Sequence, residues 1–148
     1  MIHLHLGVID FPYGTSGVTT GDVAGFLERK YGVMYAFWLV HQEEILTDME
    51  DAIAGQLENV LMGVPFTDEP FAGSNGKVEK RFQQFLYTRE VENLGLTGVP
   101  TKAALDGVNH RLKSGKGPRR PSFIDTGLYE NSFVAWVDEQ EATEAVNL

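Results

Sequence analysis

Residues Met34–Met62, MYAFWLVHQEEILTDMEDAIAGQLENVLM, decide the fold class. Trp38, Ile45, Met49, Ala52, Ile53, Gln56 and Val60 recur at helical period, with Gln56 the one polar member, and Leu46 and Leu57 flank them. At 100° per residue, Glu44, Asp48, Asp51, Gly55 and Glu58 point the other way. The spacing predicts a long amphipathic helix with an acidic stripe. Gly55 inside it costs about 1 kcal/mol relative to Ala, which would suit a close backbone approach.

Working outward, Ile2–Phe11 reads as a strand ended by Pro12-Tyr13-Gly14. Thr20 is the expected N-cap of a short helix over 22–31. After Gly63, a loop with Pro65, Pro70, Gly73 and Gly76 carries two aromatic residues, Phe66 and Phe71, which are expected to dock on something. A second helix is predicted over 77–93, with Val78, Phe82, Phe85 and Leu86 on one side. Thr101 should cap a short helix ending near Leu112. Asp125 or Thr126 should cap a turn of helix through Asn131. Ser132–Val137 alternates as a final strand, with Phe133, Ala135 and Val137 on one face. The expectation is an α+β fold in which the long helix and further helices pack against a small, mainly antiparallel sheet. Residues 1–137 form a single domain, and 138–148 form an acidic tail, frayed or partner-docked.

The 148 residues suit one domain able to bury its own core. The absence of cysteine removes disulfides, thiol nucleophiles and Cys-ligated metals, and fits a reducing compartment. The first residues lack a basic n-region, so no secretory leader is expected. The longest uninterrupted apolar run, Val33–Val40, is far too short to span a bilayer.

Charge is segregated. The net charge is −9, yet six of the twelve basic residues fall within 102–120, opposed there by Asp106 alone. That stretch carries +5 and the remainder −14. No Lys or Arg lies between Tyr31 and Gly76. Such segregation speaks of partners rather than fold. The basic run Arg111, Lys113, Lys116, Arg119 and Arg120 has three readings. It is a solvated loop, a phosphate contact, or a contact with an acidic protein surface such as this chain's own stripe. With no aromatic residues interleaved, base stacking is not suggested.

Chemical motifs are sparse. His3-x-His5 places two imidazoles on one strand face, too few ligands for a metal site. His41 reads as a core-margin residue and His110 as a solvated one. Gly73-Ser-Asn-Gly76-Lys77 fails as a phosphate loop, because the glycine spacing is short and Val78 follows the lysine. Gly95-Leu-Thr-Gly98 has GXXG spacing, which is common. Ser122 and Ser132 lack a nucleophile elbow. No cofactor, metal or catalytic residue is assigned, and a small hydrolase stays the weakest alternative.

The segment Pro121-Ser-Phe-Ile-Asp-Thr-Gly-Leu-Tyr-Glu-Asn-Ser132 resembles the Pro-x-x-Ile-Asp-Thr-Gly-x-Leu/Tyr-x-x-Ser signature of neck and tail-completion proteins of tailed bacteriophages. Gly98–Leu112 and Leu6–Tyr13 are also similar to such virion proteins, so the likeness covers about half the chain in three patches. The resemblance implies an α+β protomer in a ring, a hexamer ahead of a dodecamer. It would act as a tail terminator or head–tail connector beside neck and tail-tube or sheath proteins, assembled in the host cytoplasm into the virion. DNA would pass through its channel without sequence-specific binding, and no membrane would be involved. On this reading Arg111, Lys113, Lys116, Arg119, Arg120, Phe66 and Phe71 are assembly-interface residues, and Glu44, Asp48, Asp51 and Glu58 could line the channel. Asp125, Thr126 and Gly127 form a structural motif. The alternative from another class is a nucleic-acid-binding module acting through 111–120.

Overall fold

The computed structural model describes residues 2–109, 113 and 115–139. Strand β1 (Ile2–Val8) leads through a loop to α1 (Thr20–Tyr31), α2 (Val33–Leu61) and α3 (Ala72–Tyr87). A 3-10 turn (Glu90–Asn93), short helices α4 (Lys102–Leu105) and α5 (Leu128–Ser132), and β2 (Phe133–Glu139) complete the chain. This is the expected α+β arrangement of helices against a small antiparallel sheet. The sheet has two strands, paired from Ile2↔Glu139 to Val8↔Phe133.

The pairing sorts the side chains by face. Leu4, Leu6 and Val8 stand beside Val137, Ala135 and Phe133 and meet the helices. The other face carries His3, His5, Trp136 and Asp138. Against the inner face pack Phe82, Phe85 and Leu86 of α3 and Phe37 of α2, all fully buried. Phe82 stacks on Phe133 with ring centroids 3.9 Å apart, and Phe37 meets Phe82 edge-on at 5.2 Å. These rings sit where the two long helices and the sheet converge, so they anchor all three.

Several boundaries differ from the expectation, each for a local reason. Thr19, not Thr20, caps α1. Its hydroxyl accepts from Asp22 N–H while the Asp22 carboxylate accepts from Thr19 N–H. Thr20 is buried instead, its hydroxyl donating to Ile9 O and accepting from Phe11 N–H. Helix α3 starts at Ala72, so Gly73–Lys77 is helical rather than loop. It stops at Tyr87, and a 3-10 turn follows Arg89, which has a left-handed φ of 61°. Thr101 does cap α4, but that helix ends at Leu105 because Gly107 turns the chain with φ 62°. Gly127, not Asp125 or Thr126, occupies the cap position of α5, with φ 82° and no side-chain cap. Strand β2 continues to Glu139, two residues into the stretch read as tail, and the remainder of that tail lies outside the described residues.

Helix α2 departs most from its pattern. Val33, Ala36, Phe37 and Ile45 are buried, and Trp38 and Met49 pack partly on the core. Ile53, Leu57 and Val60 are exposed, and Leu61 and Met62 reach 87% and 73% exposure. The reason is reach. At 1.5 Å per residue α2 is roughly 43 Å long, whereas α3 has 16 residues and each strand seven. Among the described residues, it is the first part of α2 that packs on the core.

Candidate functional site

Residues 119–132 brace the body. Ser122 is buried; its N–H and hydroxyl donate to Glu92 Oε1 at 2.9 and 2.8 Å, and its Oγ accepts from Thr101 N–H at 3.1 Å. Arg119 donates to the other oxygen of Glu92. Burial works to raise the pKa of Glu92, yet the bonds from Ser122 and Arg119 hold it below the usual carboxylate range. Arg120 donates to Val108 O at 3.0 Å and to Ile124 O. Arg119 and Arg120, expected as interface cations, thus knit 118–124 to the 3-10 turn and the α4 region.

The end of the basic stretch is pinned as well. Gly117 N–H donates to Asp106 O and Arg120 N–H to Ala104 O. A Cβ on Gly107 would lie 2.3 Å from Pro118 O, so the two turns meet backbone to backbone. Lys113 and Lys116 remain exposed; Arg111 lies outside the described residues.

Further along, Asp125 Oδ1 accepts from Thr126 N–H. Asn131 closes the turn by donating from Nδ2 to Gly127 O at 2.7 Å. Tyr129 is buried against Phe82. Glu130 is fully buried, with Tyr87 OH 3.4 Å from Oε1 and no hydrogen bond at Oε2 among the described residues. Burial raises its pKa. Ser132 O accepts from Ile9 N–H, joining the segment to the end of β1.

The four carboxylates of α2 expected to line a channel separate into two pairs. Lys77 and Arg81 of α3 donate to Asp48 at 2.8 and 3.0 Å, and Arg81 Nε lies 2.9 Å from Glu44. These bonds, that from Lys77 foremost, lower the Asp48 pKa. Asp48 follows buried Ile45 by three residues, which turns it toward α3 rather than away. Asp51 and Glu58 are exposed. Lys77 and Arg81 were not singled out in the sequence. Their i,i+4 spacing opposite a stretch lacking Lys and Arg was the available signal.

The two loop aromatics also part company. Phe71 is buried at the start of α3, and Phe66 is 53% exposed. His5 stacks on Trp136 at 5.1 Å, with Nε2 3.0 Å from Asp138 Oδ2. His41 sits between Glu44 and Glu90, 3.3 and 3.2 Å from its two ring nitrogens.

A cleft of about 410 Å³ opens between α1 and the 120–125 segment. Phe26, Tyr31 and Phe123 line it, the last two meeting edge-on at 5.2 Å. Lys30 Nζ lies over both the Phe26 and Tyr31 rings, at 5.4 and 5.1 Å. Phe123 holds a left-handed φ of 68°, which turns its ring into this cleft; a motif reading gives no hint of that conformation.

The chain matches no protein-family model, and comparison with curated proteins and with solved structures finds no significant match. Among the described residues, no helix is long and apolar enough to cross a membrane.

Proposed function

We propose that the chain is a non-enzymatic structural subunit of a tailed-phage virion, a ring at the neck or tail end through which DNA passes. The observation that carries this reading is the end of α2. Leu57, Leu61, Met62 and Phe66 stand in water on a projecting, base-free segment, and an apolar patch of that kind marks an interaction surface. The signature supports the virion assignment through its resemblance. Its placement as an internal brace suits a structural part, since Ser122, Glu92 and Arg119 spend their polar groups on one another. Glu44 and Asp48 are neutralised by α3, so the reading no longer relies on a four-carboxylate channel lining.

Native mass spectrometry and negative-stain microscopy of the purified, DNA-free protein test it. Closed species of six or twelve copies are expected. A protein that stays monomeric at every concentration and binds duplex DNA with a steep salt dependence overturns the ring and supports the nucleic-acid reading.

A further inference from the structure

We infer that the projecting end of α2 is a knob that seats in the α1–Phe123 cleft of a second copy of this chain, giving a head-to-tail interface. The inference deepens the ring reading and rests on it.

The knob is defined by Leu57, Val60, Leu61, Met62, Val64 and Phe66, all exposed. Gln56 Oε1 accepts from Thr67 N–H at 3.4 Å, which folds the loop back along the helix and sets Phe66 beside its end. The charged residues that flank it in sequence are carboxylates: Asp51 and Glu58 on the helix, Asp68 and Glu69 after the loop. The cleft offers the complement. Its walls are mostly apolar and aromatic; Lys30 and Arg120 line it along with one carboxylate, Asp125, and Arg29 and Lys102, next in sequence to lining residues, are exposed. The carboxylates of that region are engaged locally. Asp22 closes the α1 capping box, Glu28 accepts from Met34 and Tyr35 N–H, and Asp125 accepts from Thr126.

The same copy cannot satisfy itself. Tyr31 ends α1 beside the start of α2, and Leu61 lies roughly 40 Å further along that helix. Knob and cleft are different patches, so the contact is heterologous and propagates into a ring if the rotation closes.

Two surface variants test the pairing. Leu61→Asp with Met62→Asp disables the knob; Phe26→Asp with Lys30→Glu disables the cleft. All four positions are exposed, so each variant should keep the wild-type circular dichroism and melting profile. Leu61→Gln and Phe26→Ser serve if either does not. Each variant alone should be monomeric, its self-association weakened at least about tenfold by a carboxylate placed in an apolar contact. Mixed, they should form a one-to-one dimer and nothing larger, because only one working knob and one working cleft remain. If the wild type forms rings and both variants do too, or if the mixture yields no dimer, the pairing is wrong and the ring reading stands. A wild type that never self-associates overturns both.

Discussion

Glu130 shows how one side chain sets a local cost. Its carboxyl is fully buried, leaves Oε2 without a hydrogen bond among the described residues, and has a raised pKa because burial penalises its charge. At neutral pH an ionised Glu130 therefore works against folding. Glu130→Gln keeps the shape and the acceptor facing Tyr87 while removing the charge. It should stabilise the protein by about 1–3 kcal/mol at pH 7. The sign with pH follows from the raised native pKa: the native state binds the proton more readily than the unfolded chain. The advantage of the variant should be full above that native pKa. It should shrink as pH falls through it, and vanish below the ordinary glutamate value of 4.5, where both states are protonated. Urea denaturation of both proteins from pH 4 to 8 measures this, and a variant less stable at pH 7 would show that the carboxylate has a partner worth more than its burial cost.

Helix α2 illustrates what a sequence can and cannot disclose about an element. Its existence and nearly its full extent were legible from period alone, because twenty-nine residues give the helical repeat many chances to register. Which part of its apolar face would be covered was not legible, since that depends on the lengths of α3 and the strands packed against it. The same holds for Asp48 and Glu44: the helical wheel put them on the polar side, and only the position of α3 brings Lys77 and Arg81 to them. The cap of α2 was hidden for a related reason. Gly32, with φ 63°, offers no side chain, and Glu28 from the last turn of α1 accepts instead from Met34 N–H at 2.8 Å and Tyr35 N–H at 3.0 Å. A capping carboxylate before the glycine hinge lies outside the usual N-cap signature. Glu28→Ala should cost about 1–2 kcal/mol and loosen the α1–α2 corner. Thermal melting gives the loss, and hydrogen exchange should place it at residues 33–36. Unchanged exchange there would exclude the capping role.

At the scale of the whole molecule, segregated charge divides between holding the body together and facing outward. The basic run was readable from the sequence, but the division of labour among its cations was not. Arg119 meets Glu92, and Arg120 meets the carbonyls of Ala104 and Val108, because the 3-10 turn, the α4 region and residues 117–124 converge, a meeting of segments far apart in the chain. Lys113 and Lys116 stay exposed. The described cations of the basic run therefore fall into two pairs with opposite expected phenotypes. Arg119→Gln strips a buried, ionised Glu92 of its charged donor, and Arg120→Gln weakens the bonds to Val108 and Ile124 carbonyls. Either should destabilise the protomer by about 1–3 kcal/mol. For Arg119→Gln the loss belongs above the ordinary pKa range of glutamate and fades in acid, because the native pKa of Glu92 is depressed and its contribution goes as that group protonates. Lys113→Gln with Lys116→Gln should instead melt with the wild type. If the +5 stretch meets the acidic remainder of a neighbour, that exposed pair supplies part of the attraction. The double variant should then assemble more weakly without DNA and show a shallower loss of assembly with salt. The salt series runs from about 0.1 to 1 M, where the screening length falls from about 10 to 3 Å. Sedimentation across it separates the possibilities. Assembly and salt response both unchanged, with only DNA retention altered, would assign Lys113 and Lys116 to the nucleic acid and leave the ring to the apolar end of α2.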